Sequence, residues 1–292
     1  MRYEGNIFRP PSEARSYILQ CTVGCSHNRC TFCSMYKDKK YRVRELKEIL
    51  TDIRMAKNYY HDLEKVFLAD GDALAMENDE LLQILDALYQ NFPSLKHVGI
   101  YASPDSILNK SLEELGQLKE RGLTIAYLGV ETGDEELLQD IRKGVSYDEM
   151  VAAGRRIREA GILLSVTVLL GLAGRTPKAV DHALNTAKIC NEMNPDYIAA
   201  LTLMLTPNSV LYRRQQKGEF ELPEPFEILE ELRIIIENLD VKDSEFRSNH
   251  ASNYLPIKGK LPDDKKAILA LIDEIIRRND RNYLRPDYMR GL

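Results

Sequence analysis

Short apolar runs alternate with longer amphipathic segments along most of the chain. The apolar runs predict strands over residues 16–21, 65–69, 97–102, 124–130, 163–170 and 197–205. Helical periodicity, with apolar residues recurring about every three or four positions, predicts helices over residues 42–60, 79–92, 112–121, 134–142, 147–160 and 177–193. The strands are continuous apolar runs, which is typical of parallel sheets that helices cover on both faces.

The strands recur at intervals of roughly 30 residues, which is the length of a βαβ unit. Right-handed crossovers curl such a sheet into a barrel or part of one. We therefore predict an α/β fold, namely a partial (βα)6 parallel barrel over residues 1–210. Residues 211–292 are predicted to form a small, mostly helical C-terminal extension that caps the barrel. Its predicted helices are 223–239 and 262–278, and a polar segment of little periodicity lies between them, at 240–260.

The charge balance limits the classes of partner. The chain has 292 residues, and 40 basic against 45 acidic side chains give a formal net charge of −5. Because a generic nucleic-acid-coating protein needs a basic excess to neutralise phosphates, we do not expect a nucleic-acid partner. No run approaches the ~20 consecutive apolar residues of a membrane span. The first residues also lack the apolar region of a secretory signal, so we expect a cytoplasmic protein without membrane association.

Four of the five cysteines lie close together, at Cys21, Cys25, Cys30 and Cys33. This distribution indicates a metal or cluster loop in a reducing compartment and not a disulfide framework. The loop, residues 21–36, follows the first strand, at the sheet end where α/β folds place their sites. Its thiolates can converge on iron–sulfur or, with His27 or Cys21 as a further ligand, on zinc. The fifth cysteine, Cys190, is expected to be a buried core thiol.

The loop resembles the cluster motif of the radical S-adenosylmethionine (SAM) superfamily. Its spacing is Cys25-x4-Cys30-x2-Cys33, with Phe32 as the aromatic residue before the last cysteine, and the resemblance makes Phe32 a candidate for contact with the cofactor. The common form is C-x3-C-x2-C, so the first gap is one residue longer here. The resemblance extends over roughly residues 16–206 and favours a cluster over zinc. It implies that the three cysteines hold one [4Fe–4S] cluster, with an open iron that binds SAM.

The turn after the second strand, Asp70-Gly71-Asp72, resembles the GGE element of this family. The resemblance implies that Gly71 and Asp72 receive the SAM ammonium, where glycine lets the backbone approach closely. Asp-Gly-Asp is also an ordinary turn sequence. After the third strand, Ser103 is a candidate for facing the ribose or the substrate. Its alternative is a cap of the strand before the turn at Pro104.

Later turns resemble the branch that contains HemN-like oxidases and methylthiotransferases. The run from Gly129 to Gly133 and the pair Lys143-Gly144 are similar to its G-x-E-[ST]-G…K-G pattern. This implies that Glu131 binds ribose hydroxyls and that Lys143, or else Arg142, binds the SAM carboxylate. A solvated helix end is the alternative for the basic residues. The turn beginning at Gly171 resembles the family's G-L-P-G-E-T turn, which pairs with adenine or lines the site.

The resemblance implies an activity and a reductant. An enzyme of this kind cleaves SAM reductively to a 5′-deoxyadenosyl radical, which abstracts hydrogen from a substrate, and flavodoxin or ferredoxin supplies the electron. We expect an unidentified small-molecule substrate, because the chain shows no cysteines for auxiliary clusters, no RNA-binding tail and no cobalamin-binding domain. The alternatives are an RNA- or tetrapyrrole-modifying enzyme and a non-catalytic cluster or haem carrier on the same fold.

The segment from Glu245 to Tyr254 is dense in hydrogen-bonding side chains. His250 is its best acid–base candidate, and Asn249 is a second candidate for contact with the substrate. The alternative is a polar surface loop with side-chain turns.

Overall fold

The computed structural model describes residues 2–291. The strands are β1 Tyr17–Gln20, β2 Thr22–Val23, β3 Arg42–Val43, β4 Lys65–Ala69, β5 His97–Ala102, β6 Ile125–Glu131, β7 Leu163–Leu170, β8 Tyr197–Thr202, β9 Ser244–Arg247 and β10 Lys258–Leu261. The helices are α1 Leu46–Lys57, α2 Asn78–Asn91, α3 Pro104–Leu108, α4 Leu112–Glu120, α5 Glu135–Asp140, α6 Tyr147–Glu159, α7 Lys178–Met193, α8 Val210–Gln216, α9 Pro225–Asn238 and α10 Lys265–Arg278. Within this range no helix has both the length and the apolar character needed to cross a membrane. The predicted α/β class is confirmed.

The chain forms two compact units. The first comprises the residues up to 28, residues 35–128 and residues 152–164. Here β1, β4, β5 and the first part of β6 form a parallel sheet, in which Tyr17 pairs with Val66, and Gly99 with Phe67 on one side and Ile125 on the other. Helix α2 packs against α1 and α4. Apolar residues at helical spacing bury one face of α1 and α2, namely Ile49, Ile53, Ala56, Leu81, Ile84, Leu85 and Leu88.

The second unit comprises residues 29–34, residues 129–151 and the residues from 165 onward. Its strands β7, β8 and β9 are parallel, with Ser165 opposite Tyr197 and Tyr197 opposite Glu245. Strand β10 runs antiparallel to β9 and places Lys258 opposite Arg247. Helix α9 packs against α7 and α10. The C-terminal segment therefore adds two strands to the sheet of this unit as well as the expected helices.

The six predicted strands are all present, and β4, β5 and β7 have the predicted bounds. The helix predicted over 42–60 was wrong in its first residues. Arg42 and Val43 instead pair antiparallel with Val23 and Thr22, and the Arg44 N–H donates to Cys21 O at 3.0 Å. Strands β9 and β10 were not predicted, because each has four mostly polar residues and no apolar run marks them.

Gly122, just after α4, offers a matched test of the packing of α4 against the Tyr89 side chain of α2. Its φ is +98°, and an added Cβ would lie 2.2 Å from the Tyr89 ring, whereas a Cβ at Gly116 within α4 meets nothing within 4 Å. We expect Gly122→Ala to lower the free energy of unfolding by about 2–4 kcal/mol, from left-handed strain and overpacking. Gly116→Ala should raise it by about 0.5–1 kcal/mol, because glycine is unfavourable within a helix. Denaturant unfolding measures both, and an unchanged Gly122→Ala variant would contradict this packing.

Candidate functional site

The five cysteines fall into two physical classes. Cys21 and Cys190 are fully buried, and burial raises the pKa of each thiol to about 12. Cys25, Cys30 and Cys33 are half-buried. Because the thiolate is the metal ligand, these three cysteines have the donor chemistry that an iron–sulfur cluster requires.

Cys25 belongs to the first unit and lies directly against Gly71, which follows β4. A Cβ at Gly71 would lie 2.9 Å from Cys25 Cβ and 2.7 Å from the Tyr36 ring. Any side chain at position 71 would therefore displace the cysteine or the tyrosine. Tyr36 is buried, and its hydroxyl interacts with the Asp70 carboxylate. Gly71 thus permits the close approach of its backbone to the cysteine loop, and its expected contact with the SAM ammonium stays a prediction.

Asp72 is a fully buried carboxylate that accepts four hydrogen bonds from the chain. Its Oδ1 accepts from the Ser103 N–H at 3.0 Å and from the Ser106 hydroxyl at 2.8 Å. Its Oδ2 accepts from the Ser103 hydroxyl at 2.7 Å and from the Ser26 hydroxyl. Burial raises the pKa of Asp72, and the four hydrogen-bond donors offset this rise only in part.

These four contacts fill the acceptor capacity of a carboxylate. Asp72 therefore connects Ser26, the neighbour of Cys25, to Ser103, which is the N-cap of α3 and forms a capping box with Ser106. Ser103 therefore caps helix α3 and not the preceding strand, and its hydroxyl and N–H donate to Asp72. The direct contacts of Asp72 and Ser103 with SAM stay predictions.

Asp70, in the same turn, has a carboxylate that faces Lys39 and Tyr36. Its Oδ2 forms an ion pair with Lys39 Nζ at 2.7 Å and accepts from the Gly24 N–H at 3.4 Å. Its buried Oδ1 makes no hydrogen bond of standard geometry within residues 2–291, but the Tyr36 hydroxyl interacts with this carboxylate, which adds to the effect of burial in raising the pKa of Tyr36. A buried polar atom without a partner is costly unless a ligand or water meets it. Asp70 was missed in the sequence, because it was compared only with the glycine of the family element.

Cys30 and Cys33 belong to the second unit, in the segment Arg29–Ser34. The Thr31 N–H donates to Ile141 O and the Leu211 N–H donates to Thr31 O, each at 2.9 Å. Between the two cysteines, Phe32 packs against the apolar cluster of Ile141, Leu169, Leu172, Leu203 and Leu211. The aromatic residue therefore anchors this part of the loop in the core, and its contact with the cofactor stays a prediction.

Glu131 and Lys143, which were assigned to different parts of SAM, form an ion pair with each other. Lys143 Nζ lies 3.0 Å from Glu131 Oε1, and each side chain is 11% exposed. Glu131 ends β6 with a φ of +66°. A Cβ at Gly129 would lie 2.3 Å from Glu131 Oε1, so the absent side chain at position 129 leaves room for the pair. Their contacts with SAM stay predictions.

Gly171 follows β7 with a φ of +79°, and a Cβ there would lie 2.8 Å from Ile228 Cδ1. Its N–H donates to Glu231 Oε1 at 2.9 Å. The backbone of this turn therefore needs glycine for two reasons, its left-handed conformation and the close approach of α9. The expected contact of this turn with adenine is untested.

His250 and Asn249 lie in the segment between β9 and β10. His250 Nδ1 is 2.9 Å from Ser252 Oγ, and burial, with a smaller effect of Arg285, lowers the pKa of His250. Asn249 is exposed. The polar density of this segment has a partly structural cause, because Asn253 donates to Ala200 O and accepts from the Thr202 hydroxyl, both at 2.9 Å. Roles of His250 and Asn249 toward a substrate stay predictions.

The arrangement as a whole offers donors for a cluster but no closed metal site. In the described range, 2–291, no three His, Cys, Asp or Glu side chains converge as a metal-binding group. The half-buried thiols nevertheless have the donor chemistry of a thiolate-bound cluster. Cys25, Cys30 and Cys33 as the cluster ligands therefore stay a prediction.

Comparison with known families decides the class of protein. The model of the radical SAM superfamily matches residues 19–187. The chain belongs to the radical SAM superfamily. Its cofactors are accordingly a [4Fe–4S] cluster and SAM, and the fold described above is the α/β radical SAM fold.

Several known proteins are similar to this chain. The heme chaperone HemW of Bacillus subtilis (strain 168) is 27% identical over 220 residues, which is 74% of this chain and 56% of HemW. Coproporphyrinogen III oxidase (HemN) from Escherichia coli superposes with a TM-score of 0.57 at 17% identity, over 76% of this chain and 51% of HemN. The radical SAM methyltransferase TsrM from Kitasatospora setae, with cobalamin and a [4Fe–4S] cluster bound, gives 0.57 at 17% identity, over 72% of this chain and 41% of TsrM. The chain spans about half the length of the curated HemW relatives it matches.

The two classes of cysteine predict a labelling order for this radical SAM protein. With the native, metal-free chain at neutral pH, iodoacetamide should modify Cys25, Cys30 and Cys33 at least about tenfold faster than Cys21 and Cys190. The reason is that burial keeps the latter two protonated and inaccessible. Peptide mapping by mass spectrometry measures the rates, and the denatured chain, in which all five cysteines should react alike, is the control. Comparable modification rates at Cys21 and Cys25 in the native chain would contradict the division of the cysteines into buried and half-buried classes.

Proposed function

We propose that this chain is a radical SAM enzyme that holds one [4Fe–4S] cluster through Cys25, Cys30 and Cys33 and acts on a small molecule. When bound, the cluster and SAM supply a 5′-deoxyadenosyl radical that abstracts a hydrogen atom from the substrate. The observation that carries the proposal lies in the turn after β4. There Gly71 brings the backbone against Cys25, and the buried carboxylate of Asp70 lies beside Lys39 and Tyr36.

In the first unit the chain's task is to bind the amino-acid end of SAM. The Oδ1 of Asp70, which makes no hydrogen bond of standard geometry in the described chain, accepts from the SAM ammonium beside the backbone of Gly71. Asp72 acts as a positioning residue, because its four donors include the hydroxyl of Ser26, next to Cys25. Lys39 balances the charge of Asp70 through the other carboxylate oxygen.

In the second unit the chain's task is to bind the nucleoside and carboxylate of SAM. Glu131 accepts from ribose hydroxyls, and Lys143, already within 3.0 Å of Glu131, donates to the SAM carboxylate. The backbone at Gly171 lines the adenine. Such contacts orient the S–C5′ bond and exclude side reactions with water.

The electron donor and the substrate are proposed by chemical class. A flavodoxin or a ferredoxin in the cytoplasm reduces the cluster, since the superfamily requires a one-electron reductant. The segment that contains Asn249 and His250 is proposed to face the substrate, because His250 is half-buried and burial keeps its pKa below the usual value. The neutral imidazole then serves as a proton acceptor at physiological pH.

A second candidate function is a non-catalytic carrier of haem or of a cluster. The observation that favours it is the similarity to the heme chaperone HemW, at 27% identity over 74% of this chain. On this alternative the chain keeps the cysteine loop and binds the tetrapyrrole without consuming SAM. Haem titration of the purified chain, together with the assay of SAM cleavage, separates the two functions.

The main test is anaerobic reconstitution with iron and sulfide, followed by addition of dithionite and SAM. We expect four irons and four sulfides per chain, as a [4Fe–4S] cluster requires, and slow release of 5′-deoxyadenosine, measured by chromatography. Replacing Cys25, Cys30 or Cys33 by Ala should abolish both the cluster and the release of 5′-deoxyadenosine, because each substitution removes a thiolate ligand. Cys190→Ala is the matched control and should retain both.

Three outcomes would overturn this proposal. Zinc in place of iron would make the loop structural. A cluster with tight haem binding and no 5′-deoxyadenosine would favour the carrier. Retention of the cluster by Cys30→Ala would refute the ligand set.

The contacts of Asp70 predict a second result. Asp70→Asn should raise the dissociation constant for SAM at least about tenfold, since a hydrogen bond to a charged group contributes about 1.5–3 kcal/mol, and should leave the iron content unchanged. Lys39→Met removes the same ion pair but keeps the acceptor, so it is the control and should not weaken SAM binding. Equilibrium dialysis of SAM against the cluster-loaded chain measures these constants. Normal binding by Asp70→Asn, with weakened binding by Asp72→Ala at full iron content, would instead place the ammonium on Asp72.

A further inference from the structure

A buried histidine and a buried glutamate in the second unit have so far been given no role. His182 lies on α7 and is 1% exposed, and Glu231 lies on α9 and is 4% exposed. They lie between the turn that follows Glu131 and the turn at Gly171. Charged or titratable side chains this deeply buried are rare in proteins unless they are paired, so the pair needs a physical explanation.

At one end, the histidine contacts the residue next to Glu131. His182 Nδ1 lies 2.7 Å from Thr132 Oγ1, and the same threonine oxygen accepts from the Asp134 N–H at 3.0 Å. A second threonine of α7, Thr186, accepts from the Gly133 N–H at 3.2 Å. The backbone from 132 to 134 is therefore held directly by side chains of α7 and by their partners.

At the other end, the pair reaches the turn after β7. His182 Nε2 lies 3.2 Å from Glu231 Oε1 and 3.3 Å from Leu169 O. The same Oε1 accepts from the Gly171 N–H at 2.9 Å. Glu231 thus fixes the amide of the residue assigned to the adenine side of SAM.

The partners settle which imidazole nitrogen carries the proton. Both neighbours of Nε2, a carboxylate oxygen and a carbonyl oxygen, accept only, so Nε2 is the donor. Nδ1 then accepts from the Thr132 hydroxyl, which is free to donate because it already accepts from the Asp134 N–H, and Thr186 Oγ1 lies 3.3 Å from the same nitrogen. Hydrogen bonds therefore connect Asp134 N–H through Thr132 to His182 and on to Leu169 O. The 3.2 Å contact of His182 with Glu231 joins them to the Gly171 N–H.

We propose that the His182–Glu231 pair is a positioning device that holds the Glu131 turn and the Gly171 turn at a fixed separation for SAM. Both turns contain a left-handed residue, with φ of +66° at Glu131 and +79° at Gly171. Such a conformation persists at a non-glycine residue only where the surroundings fix it. Buried polar contacts of this kind fix geometry, whereas an apolar pair of the same volume can stabilise as well without specifying it.

The pair also assigns a role to the C-terminal segment. The superfamily match ends at residue 187, whereas Glu231 lies on α9, Pro225–Asn238. This chain therefore uses a residue beyond the matched region to complete the nucleoside side of its cofactor site. The role presupposes that the chain binds SAM, as proposed for its function.

The test compares Glu231→Ala, Glu231→Gln and Thr132→Val with the wild type, each loaded anaerobically with iron and sulfide. Glu231→Ala and Thr132→Val remove the contacts of His182 at its two opposite ends, and each should raise the SAM dissociation constant about tenfold or more at unchanged iron content. Glu231→Gln keeps the oxygen that accepts from Gly171 and should bind SAM within about threefold of the wild type. Glu230 is exposed on the same helix. Glu230→Ala is therefore the matched control and should leave the SAM dissociation constant unchanged.

Kinetics of 5′-deoxyadenosine formation supply a readout that a purely structural role would not move. We expect the half-saturating SAM concentration to rise in Glu231→Ala while the maximal rate per cluster is kept, as for a lost binding interaction. Lower thermal stability with unchanged SAM affinity in both Glu231→Ala and Thr132→Val would overturn the positioning role. If Glu231→Ala does not fold, Thr132→Val, which conserves volume, decides alone. Failure of the wild type itself to bind SAM would instead refute the proposed function, and this role with it.

Discussion

Asp72 brings a carboxyl group with no exposed surface into the middle of the first unit, and the cost of burying that charge shapes the surrounding chain. Four donors are directed at its two oxygens, from the backbone and hydroxyl of Ser103 and the hydroxyls of Ser106 and Ser26. Leaving any of them unmade would cost about 1–3 kcal/mol or more for a charged group. The turn after β4, the start of α3 and the beginning of the cysteine loop are therefore constrained together.

That constraint explains how Cys25 is placed on an otherwise irregular loop. Ser26 is held by the buried carboxylate. The backbone of Gly71 lies so close to Cys25 and Tyr36 that even an added Cβ would lie within 2.9 Å of both side chains. Functional groups on loops need such support from a rigid neighbour, because a misplacement of about 1 Å is enough to weaken catalysis strongly. The second unit uses the same principle at Gly129, whose missing side chain makes room for the ion pair of Glu131 and Lys143.

The fold could be predicted where runs of apolar residues mark the buried segments. Strands such as Lys65–Ala69 and Leu163–Leu170 are continuous apolar runs, so their bounds follow from the sequence. Strands β9 and β10 could not be predicted, because Ser-Glu-Phe-Arg and Lys-Gly-Lys-Leu carry almost no hydrophobic signal and are defined by pairing with a neighbour. In the same way, the ribbon of Arg42–Val43 with Thr22–Val23 depends on a partner about 20 residues away and was hidden by the helical periodicity that follows it.

The candidate site was predictable in its residue types but not in its pairings. Cysteine spacing and the turn motifs identified the family, which the superfamily match confirms. Nothing in the order Asp70-Gly71-Asp72 reveals that the Asp72 carboxylate is saturated by the chain, since that depends on Ser103 and Ser106, about 30 residues further on. His182 and Glu231 were missed for a related reason. Each is a single polar residue on the apolar face of a helix, and only the three-dimensional contact between α7 and α9 pairs them.

The central claim is that this chain carries a cluster with one iron open to SAM. Electron paramagnetic resonance of the dithionite-reduced, cluster-loaded chain tests it most directly, with SAM labelled isotopically at its amino nitrogen. The account predicts that SAM shifts the cluster signal and that the labelled nitrogen shows hyperfine coupling to the cluster. A reduced cluster whose spectrum is unchanged by saturating SAM, without coupling to the label, would contradict it.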